Sequence, residues 1–262
     1  MEDQLQIRVH GQATQPTLIY LPGLHGDWTL VSSFRAALKG QIRFVEITYP
    51  LTVEWSLTDY ADAVTDALAS HRINQGWLLG ESFSSQVAWA ILERASQNSF
   101  RMEGLILSGG FVRHPIMAGV HLARLINRAM PIWMVKVFCA LWARYAKLRH
   151  RHAPETLAGI SAFVKNRTNE ADRQAICHRY DLIIDNDLRS VARQARLPVF
   201  QLTGFFDPIV PWPLVQPWLK RNCPDFRGWK LIWRADHNPL GTAPRVAAEW
   251  VLRWMKIPPK AA

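Results

Sequence analysis

The chain has 262 residues, of which 49% are apolar and 20% charged, and its formal net charge is +10. This composition excludes a disordered chain and supplies a sizeable hydrophobic core for one or two domains. The cysteines are odd in number and far apart, which excludes a disulfide framework and a closely spaced metal motif: Cys139, Cys177 and Cys223.

Strand and helix patterns alternate through the first 110 residues. Apolar or alternating patterns predict strands at residues 5–9, 17–21, 42–47 and 105–107, and in a run that ends at Leu79. Helices are predicted at residues 29–39, 56–71 and 86–93, the second with Ser56 as its N-cap. This alternation over short loops predicts an α/β fold, in which a mostly parallel sheet is covered by helices on both faces.

The pattern changes between residues 111 and 187, where several helices and no buried strand are predicted. Prolines separate these helices: Pro115, Pro131 and Pro154. Alternation then resumes, with strands at residues 199–203 and 228–233, a helix beginning near Pro211 or Pro213, and a last helix at residues 244–255. We therefore predict a core formed by residues 1–110 and 188–262 with a helical insertion at residues 111–187, which resembles the cap of many α/β-hydrolases.

A sharp turn is predicted at residues 80–84, Gly-Glu-Ser-Phe-Ser, where a buried strand meets a helix. Ser82 occupies the apex, and small residues two positions on either side allow close backbone packing. The turn resembles the nucleophile elbow of the α/β-hydrolase family, G-x-S-x-G, with Ser84 in the place of the second Gly. An alternative remains open, because Ser82, Ser84 and Ser85 are also good N-cap residues.

Two residues follow later strands at positions that suit a catalytic triad. Asp207 lies just after the strand at residues 199–203, and His237 just after the strand at residues 228–233. Open α/β sheets form their sites at these carboxyl ends. The resemblance implies a triad of Ser82, Asp207 and His237, since the family places nucleophile, acid and base in this order. Asp207 could instead be only a turn residue, His237 a surface residue, and Asp236 a rival acid.

The same resemblance implies an oxyanion hole made of two backbone N–H groups. Phe83, the residue after the nucleophile, would supply one of them. Leu24 would supply the other. Because His25 and Gly26 follow, the match to the family loop could be shifted by one residue, and this assignment stays open to that extent. Pro22 stands where many family members have a His that braces the loop.

The resemblance implies an α/β-hydrolase fold and a serine hydrolase that cleaves a carboxylic ester or thioester through an acyl-serine intermediate. It implies no organic cofactor and no metal. Carbon–carbon bond hydrolysis, acyl transfer and a catalytically idle, ligand-binding fold remain as alternatives. Epoxide and haloalkane enzymes of this fold use an Asp nucleophile, so Ser82 argues against them.

A basic stretch without any Asp or Glu extends from residue 104 to residue 154. Its cations are Arg113, Arg124, Arg128, Lys136, Arg144, Lys147, Arg149 and Arg151. This stretch could be a solvated face, or could meet an acyl carrier protein, a coenzyme A thioester or an anionic membrane surface. No nucleic-acid-binding module is recognised, so a nucleic-acid partner is not expected.

The expected location is cytoplasmic, with peripheral attachment to a membrane as the alternative. The N-terminal sequence lacks a basic segment followed by an apolar core, so it predicts no secretory signal. The longest apolar run, residues 129–143, is interrupted by Lys136 and does not predict a membrane-spanning helix.

Overall fold

A computed structural model describes residues 4–38, 40–97, 99–149, 157, 161, 164 and 169–256. Within these residues, seven strands form one sheet. The strands are β1 (Gln6–His10), β2 (Thr17–Leu21), β3 (Arg43–Thr48), β4 (Gln75–Glu81), β5 (Arg101–Ser108), β6 (Val199–Gly204) and β7 (Phe226–Ile232). Their order across the sheet is β1-β3-β2-β4-β5-β6-β7. Only β1, at one edge, pairs antiparallel, so the predicted mostly parallel sheet is confirmed.

The helices of the described residues connect these strands. They are α1 (Ser32–Leu38), α2 (Leu57–Ser70), α3 (Ser84–Glu93), α4 (Met117–Ala129), α5 (Ile132–Arg149), α6 (Glu170–Asp185), α7 (Arg189–Gln194), α8 (Trp212–Asn222), α9 (Pro239–Thr242) and α10 (Pro244–Met255). A short 3₁₀ turn, Thr29–Val31, precedes α1, and Lys39, the predicted end of that helix, lies outside the described residues. Ser56 caps α2 in a capping box with Asp59, as the sequence predicts.

Helices cover both faces of the sheet and each face has its own core. On one face α2 and α3 bury an apolar stripe against the sheet, which includes Tyr60, Val64 and Val87. On the other face α1 and α10 contribute Phe34 and Val251. Because both faces are covered, the central strands are buried almost throughout, as in β2.

The strand predicted at residues 105–107 is longer in the structure. β5 begins at Arg101, and its first residues are exposed or half-buried before the buried segment starts at Gly104. The exposed start carries Arg101 and Glu103, whose polarity hides the strand from an apolar-run criterion. The register of β5 against β4 is what places Ser108 beside Glu81, next to the predicted turn.

The described part of residues 111–187 is helical and comprises α4, α5 and α6. We refer to residues 111–187 as the predicted cap, since its boundaries remain a prediction. Arg173 of α6 closes the end of α4 by donating to the carbonyl oxygens of Asn127, at 3.3 Å, and Arg128, at 2.6 Å. Among the described residues, no single helix could cross a membrane; α4 and α5, bent by 115° at their junction, have the required length and composition only as a pair.

Candidate active site

Ser82 lies at the apex of the turn between β4 and α3. Its φ is +49°, in the left-handed region that a residue with a side chain rarely adopts. The turn is tight, because a Cβ on Gly80 would lie 2.8 Å from the carbonyl oxygen of Ser84. The N-cap position of α3 is Phe83, and no side-chain hydrogen bond caps this helix. The hydroxyl group of Ser82 therefore does not cap α3.

The structure brings Ser82, His237 and Asp207 into one hydrogen-bonded chain. The Oγ of Ser82 lies 2.9 Å from Nε2 of His237. The Nδ1 of His237 lies 2.9 and 3.0 Å from the two carboxylate oxygens of Asp207. These contacts assign the imidazole one proton, on Nδ1, so that Nε2 can accept the proton of the Ser82 hydroxyl group.

The carboxylate of Asp207 is fixed by its own loop. Its side chain has no exposed surface, and Oδ1 also accepts hydrogen bonds from the backbone N–H groups of Ile209 and Val210, both at 2.9 Å. The rival acid, Asp236, instead accepts from the backbone N–H of Asn238 at 2.9 Å. Asp207 is therefore the acid whose carboxylate contacts the imidazole of His237.

The pKa of His237 is shifted by two opposing effects. Burial lowers the pKa, while the hydrogen bond and the negative charge of Asp207 raise it, and the charge of Glu81 adds to the increase. The net result is a pKa above the ordinary value of 6.5. A raised pKa favours the imidazolium form, which is the state that a base reaches after it removes a proton from a nucleophile.

The loop after β2 lies directly beside Ser82. A Cβ on Gly23 would be 3.6 Å from the Cβ of Ser82. Among the described residues, the backbone N–H groups of Leu24 and Phe83 donate no hydrogen bond. Both predicted donors of the oxyanion hole are thus free to bind an oxygen atom of a ligand.

Two departures from the family motif contact each other in this region. The hydroxyl group of Ser84, which is fully buried, donates a hydrogen bond to the carbonyl oxygen of Pro22. The phenol of Tyr49 lies 2.8 Å from the same hydroxyl group and completes a buried chain. Ser84 therefore ties α3 to the loop that contains Leu24.

Sequence reasoning missed Glu81, which immediately precedes Ser82. Its buried carboxylate accepts hydrogen bonds from the phenol of Tyr20 and from the backbone N–H of Gly23. Burial raises the pKa of Glu81, although the hydrogen bond from Tyr20 opposes this change. A carboxylate within an apolar strand was the available signal, because such a group is buried only with specific partners.

His114 was also missed as a residue of this region. It is buried, and its Nε2 lies 3.1 Å from the carbonyl oxygen of Ile209, in the loop that carries Asp207. Burial lowers the pKa of His114. The residue thus joins the start of the predicted cap to the acid loop as a neutral side chain.

Metal ligation has no support in the described part of the chain. No group of three or more His, Cys, Asp or Glu side chains in it is arranged to hold a metal ion. The chemistry available at this site is that of a hydroxyl group, an imidazole, a carboxylate and backbone N–H groups.

Comparisons with solved structures identify the architecture. An α/β hydrolase from a Medee basin deep-sea metagenome library superposes with a TM-score of 0.78 at 9% identity, covering 98% of this chain and 96% of its own. This chain has the α/β-hydrolase fold. The enol-lactonase from Burkholderia xenovorans LB400 gives a TM-score of 0.78 at 16% identity, with 97% and 96% covered. An esterase from Thermogutta terrifontis gives 0.73 at 19%, with 96% and 93% covered.

At these identities the likeness concerns the fold alone. No family model matches the sequence, and no curated protein matches it either. Within the α/β-hydrolase fold, β4 ends at Glu81, immediately before Ser82, and β6 and β7 end at Gly204 and Ile232, a few residues before Asp207 and His237. The three side chains therefore converge at the carboxyl ends of the parallel strands.

Proposed function

We propose that this protein is a serine hydrolase that cleaves a carboxylic ester or thioester through an acyl-serine intermediate. The observation that carries the proposal is the hydrogen-bonded chain from Ser82 through His237 to Asp207, at a turn that exposes the nucleophile. The esterase and the enol-lactonase among the structural neighbours agree with this reaction class.

The proposed reaction starts with the hydroxyl group of Ser82. Nε2 of His237 removes its proton while Oγ attacks the acyl carbon, and Asp207 stabilises the imidazolium that forms. The carbonyl oxygen becomes negatively charged and would bind the free N–H groups of Leu24 and Phe83. His237 then protonates the leaving alcohol or thiol, and a water molecule, activated by the same imidazole, hydrolyses the acyl-serine.

A fluorophosphonate probe tests the nucleophile directly, since it reacts with an activated serine and not with an ordinary one. Labelling of Ser82, followed by turnover of p-nitrophenyl esters and acyl thioesters of increasing chain length, would support the proposal. Absence of both labelling and turnover would instead favour a catalytically idle, ligand-binding fold. Labelling without ester or thioester turnover would favour carbon–carbon bond hydrolysis or acyl transfer.

We also propose that the protein acts at an anionic lipid surface through α4 and α5. Apolar side chains are exposed along α5 at a spacing of four residues, namely Trp133, Val137 and Leu141, with Trp133 63% exposed. Lys136 and Arg144 of the same helix are also exposed. Basic residues beside exposed aromatic and aliphatic residues suit the boundary between anionic headgroups and acyl chains.

The charge distribution around these helices favours a lipid surface over a solvated face. Arg113 and Arg124 are ion-paired with Asp187 and Asp181, so their charges are offset. Among the described residues, the remaining cations of the stretch make no ion pair: Arg128, Lys136 and Arg144. Arg151 lies outside the described residues, as do the side chains of Lys147 and Arg149. Binding to anionic vesicles and not to neutral ones is the expected behaviour.

A further inference from the structure

The loop beside Ser82 is held from a third direction by an arginine of α6. Nη1 of Arg179 donates a hydrogen bond of 2.8 Å to the carbonyl oxygen of Leu24, the residue whose N–H is free. Pro22 and Gly23 are held by the elbow residues described above. Three successive residues of the loop are therefore bonded to three separate elements, β4, α3 and α6.

Arg179 is fully buried, yet its hydrogen bonds are not to a carboxylate. Nη2 donates to the carbonyl oxygen of Pro50 at 2.9 Å, and Nε donates to the phenol of Tyr60 at 3.2 Å. The guanidinium also lies 5.7 Å from the ring of Tyr49 and 5.9 Å from that of Tyr60. Among the described residues, Arg179 has no ion pair. Burying a cation without a counter-charge is costly, and among the described residues only these hydrogen bonds and aromatic rings offset that cost.

The loop is shaped to admit this guanidinium. Gly26 has φ = +77°, and a Cβ at this position would lie 2.5 Å from Nη1 of Arg179. The N–H of Gly26 also closes the loop by donating to the carbonyl oxygen of Gly23 at 2.9 Å. A side chain at residue 26 would clash with the guanidinium, so the position of Arg179 depends on the glycine.

We propose that Arg179 is a positioning residue for the oxyanion hole and that it couples the predicted cap to catalysis. Arg179 holds Leu24 from its carboxyl side through the carbonyl oxygen, while the N–H of Gly26 holds the carbonyl oxygen of Gly23, which is in the same peptide group as the free N–H of Leu24. The planar guanidinium reaches Leu24 and Pro50 at once, a geometry that the ammonium of a lysine cannot reproduce.

This inference rests on the proposed function and explains how the loop is braced with Pro22 in the position where the family resemblance leads one to expect a His. Because Arg179 belongs to α6, a displacement of this helix would disturb Leu24. The proposed oxyanion hole and α6 of the predicted cap would then move together and not independently.

Matched substitutions on α6 test the inference. Arg179→Met and Arg179→Lys change the brace, while Arg173→Met and Arg173→Lys make the same changes on the same helix, at a residue that contacts α4. Each variant is assayed with an oxygen ester and with the matching thionoester. The thionoester carries a sulfur atom, a weak hydrogen-bond acceptor, where the ester has the carbonyl oxygen, so its turnover depends less on the oxyanion hole.

The expected result is a selective loss of kcat on the oxygen ester. Arg179→Met should lower it about 30-fold, less than the roughly 10²–10³-fold known for loss of one oxyanion-hole donor because the N–H group itself remains, with KM changed less than about threefold. The ratio of ester to thionoester turnover should fall roughly tenfold or more. Arg179→Lys should recover only part of this ratio, and neither Arg173 variant should change it.

Other outcomes would separate this inference from the proposed function. If the wild type is labelled by a fluorophosphonate but Arg179→Met keeps the ester to thionoester ratio, Arg179 has only a structural role and the inference is overturned. The inference is also overturned if the Arg173 variants lower the ratio of ester to thionoester turnover as much as the Arg179 variants do. If Arg179→Met does not fold, the folded Arg179→Lys variant must lower the same ratio, and a wild-type ratio in that variant would overturn the inference. An unlabelled, inactive wild type would overturn the proposed function itself.

Discussion

The phenol of Tyr20 donates a hydrogen bond to the carboxylate of Glu81, and both groups are buried at the ends of neighbouring strands. Glu81 also binds the N–H of Gly23 and adds to the negative potential at His237. Glu81→Gln should therefore lower kcat roughly tenfold, the loss expected for one hydrogen bond of about 1.4 kcal/mol.

The pH dependence provides the control for this variant. Glu81→Gln removes a charge that raises the pKa of His237, so the acidic limb of kcat/KM should move to lower pH. Tyr20→Phe removes the hydrogen bond but keeps the carboxylate of Glu81. The acidic limb of its kcat/KM profile should therefore stay near that of the wild type. A Glu81→Gln profile that coincides with the wild-type profile would exclude an electrostatic role for Glu81.

Replacement of the nucleophile should abolish turnover. Ser82→Ala should lower kcat by about 10⁴–10⁶, as triad deletions do, and should prevent fluorophosphonate labelling. The fold should be intact in circular dichroism, because Oγ contacts only His237 among the described side chains. Retention of a tenth of the activity would remove Ser82 from the mechanism.

The backbone at the nucleophile should make the protein less stable than it could be. Ser82 has φ = +49°, and Ala in its place would keep the Cβ that makes this conformation unfavourable. Gly has no Cβ, so Ser82→Gly should be about 1 kcal/mol more stable than Ser82→Ala in denaturant unfolding. Equal stabilities of the two variants would show that the surrounding turn relaxes when Oγ is removed.

The acid should control both the orientation and the pKa of the base. Asp207→Asn should lower kcat by about 10²–10⁴. The pKa of His237 lies above 6.5 in the folded protein, so wild-type kcat/KM should rise with pH through a midpoint above that value, as the imidazole becomes neutral. Loss of the Asp207 charge should move this midpoint to lower pH.

Asp236→Asn is the matched control, since it makes the same chemical change one residue before His237. Asp236 accepts the N–H of Asn238 and has no hydrogen bond to the imidazole, so this variant should keep most of the activity. If Asp236→Asn were the more damaging substitution, the assignment of the acid would be wrong.

The proposed lipid surface predicts binding that depends on charge. The wild type should sediment with vesicles that contain phosphatidylglycerol and not with vesicles of phosphatidylcholine alone. Lys136→Glu with Arg144→Glu should weaken this binding tenfold or more, because each cation near an anionic surface contributes about 1 kcal/mol. Raised salt should have the same effect, since the screening length at 0.15 M is roughly 8 Å.

A charge-matched control lies on α8, where Lys220→Glu with Arg221→Glu changes the net charge by the same amount. Equal loss of binding in both double variants would indicate attraction by net charge alone. Self-association in light scattering without vesicle binding would identify a second copy of the chain as the occupant of α4 and α5. If the wild type does not bind vesicles, but Lys136→Glu with Arg144→Glu turns over an anionic thioester more slowly than the wild type, an anionic acyl carrier would be favoured.

Much of the architecture is encoded in local patterns that a sequence shows. The strand and helix alternation predicts the sheet, and the boundaries of β2 and α10 agree with prediction because apolar runs and prolines mark them. Asp207 and His237 could be proposed from the sequence because each follows a predicted strand, β6 or β7. Their proximity to Ser82 then follows from the parallel arrangement, which brings the carboxyl ends of strands to one edge.

The brace of the oxyanion loop could not be predicted, because it depends on contacts between distant residues. Arg179 occurs in a helix rich in polar residues, where an arginine ordinarily faces solvent. Its partner Leu24 is 155 positions away in the chain. Glu81 and Ser84 lie in the recognised motif, yet their partners Tyr20 and Pro22 lie more than fifty positions earlier, and no local pattern connects them.

The positions of the triad along the chain bear on how activity appears during synthesis. Ser82 is made 155 residues before His237, a delay of about 8–30 s at ordinary translation rates. β6 and β7 join the sheet at one edge, beyond β5, so the earlier strands can pair before they arrive. A nascent chain therefore carries Ser82 for many seconds without His237 beside it, and the proposed reactivity would begin only when the last two strands have docked.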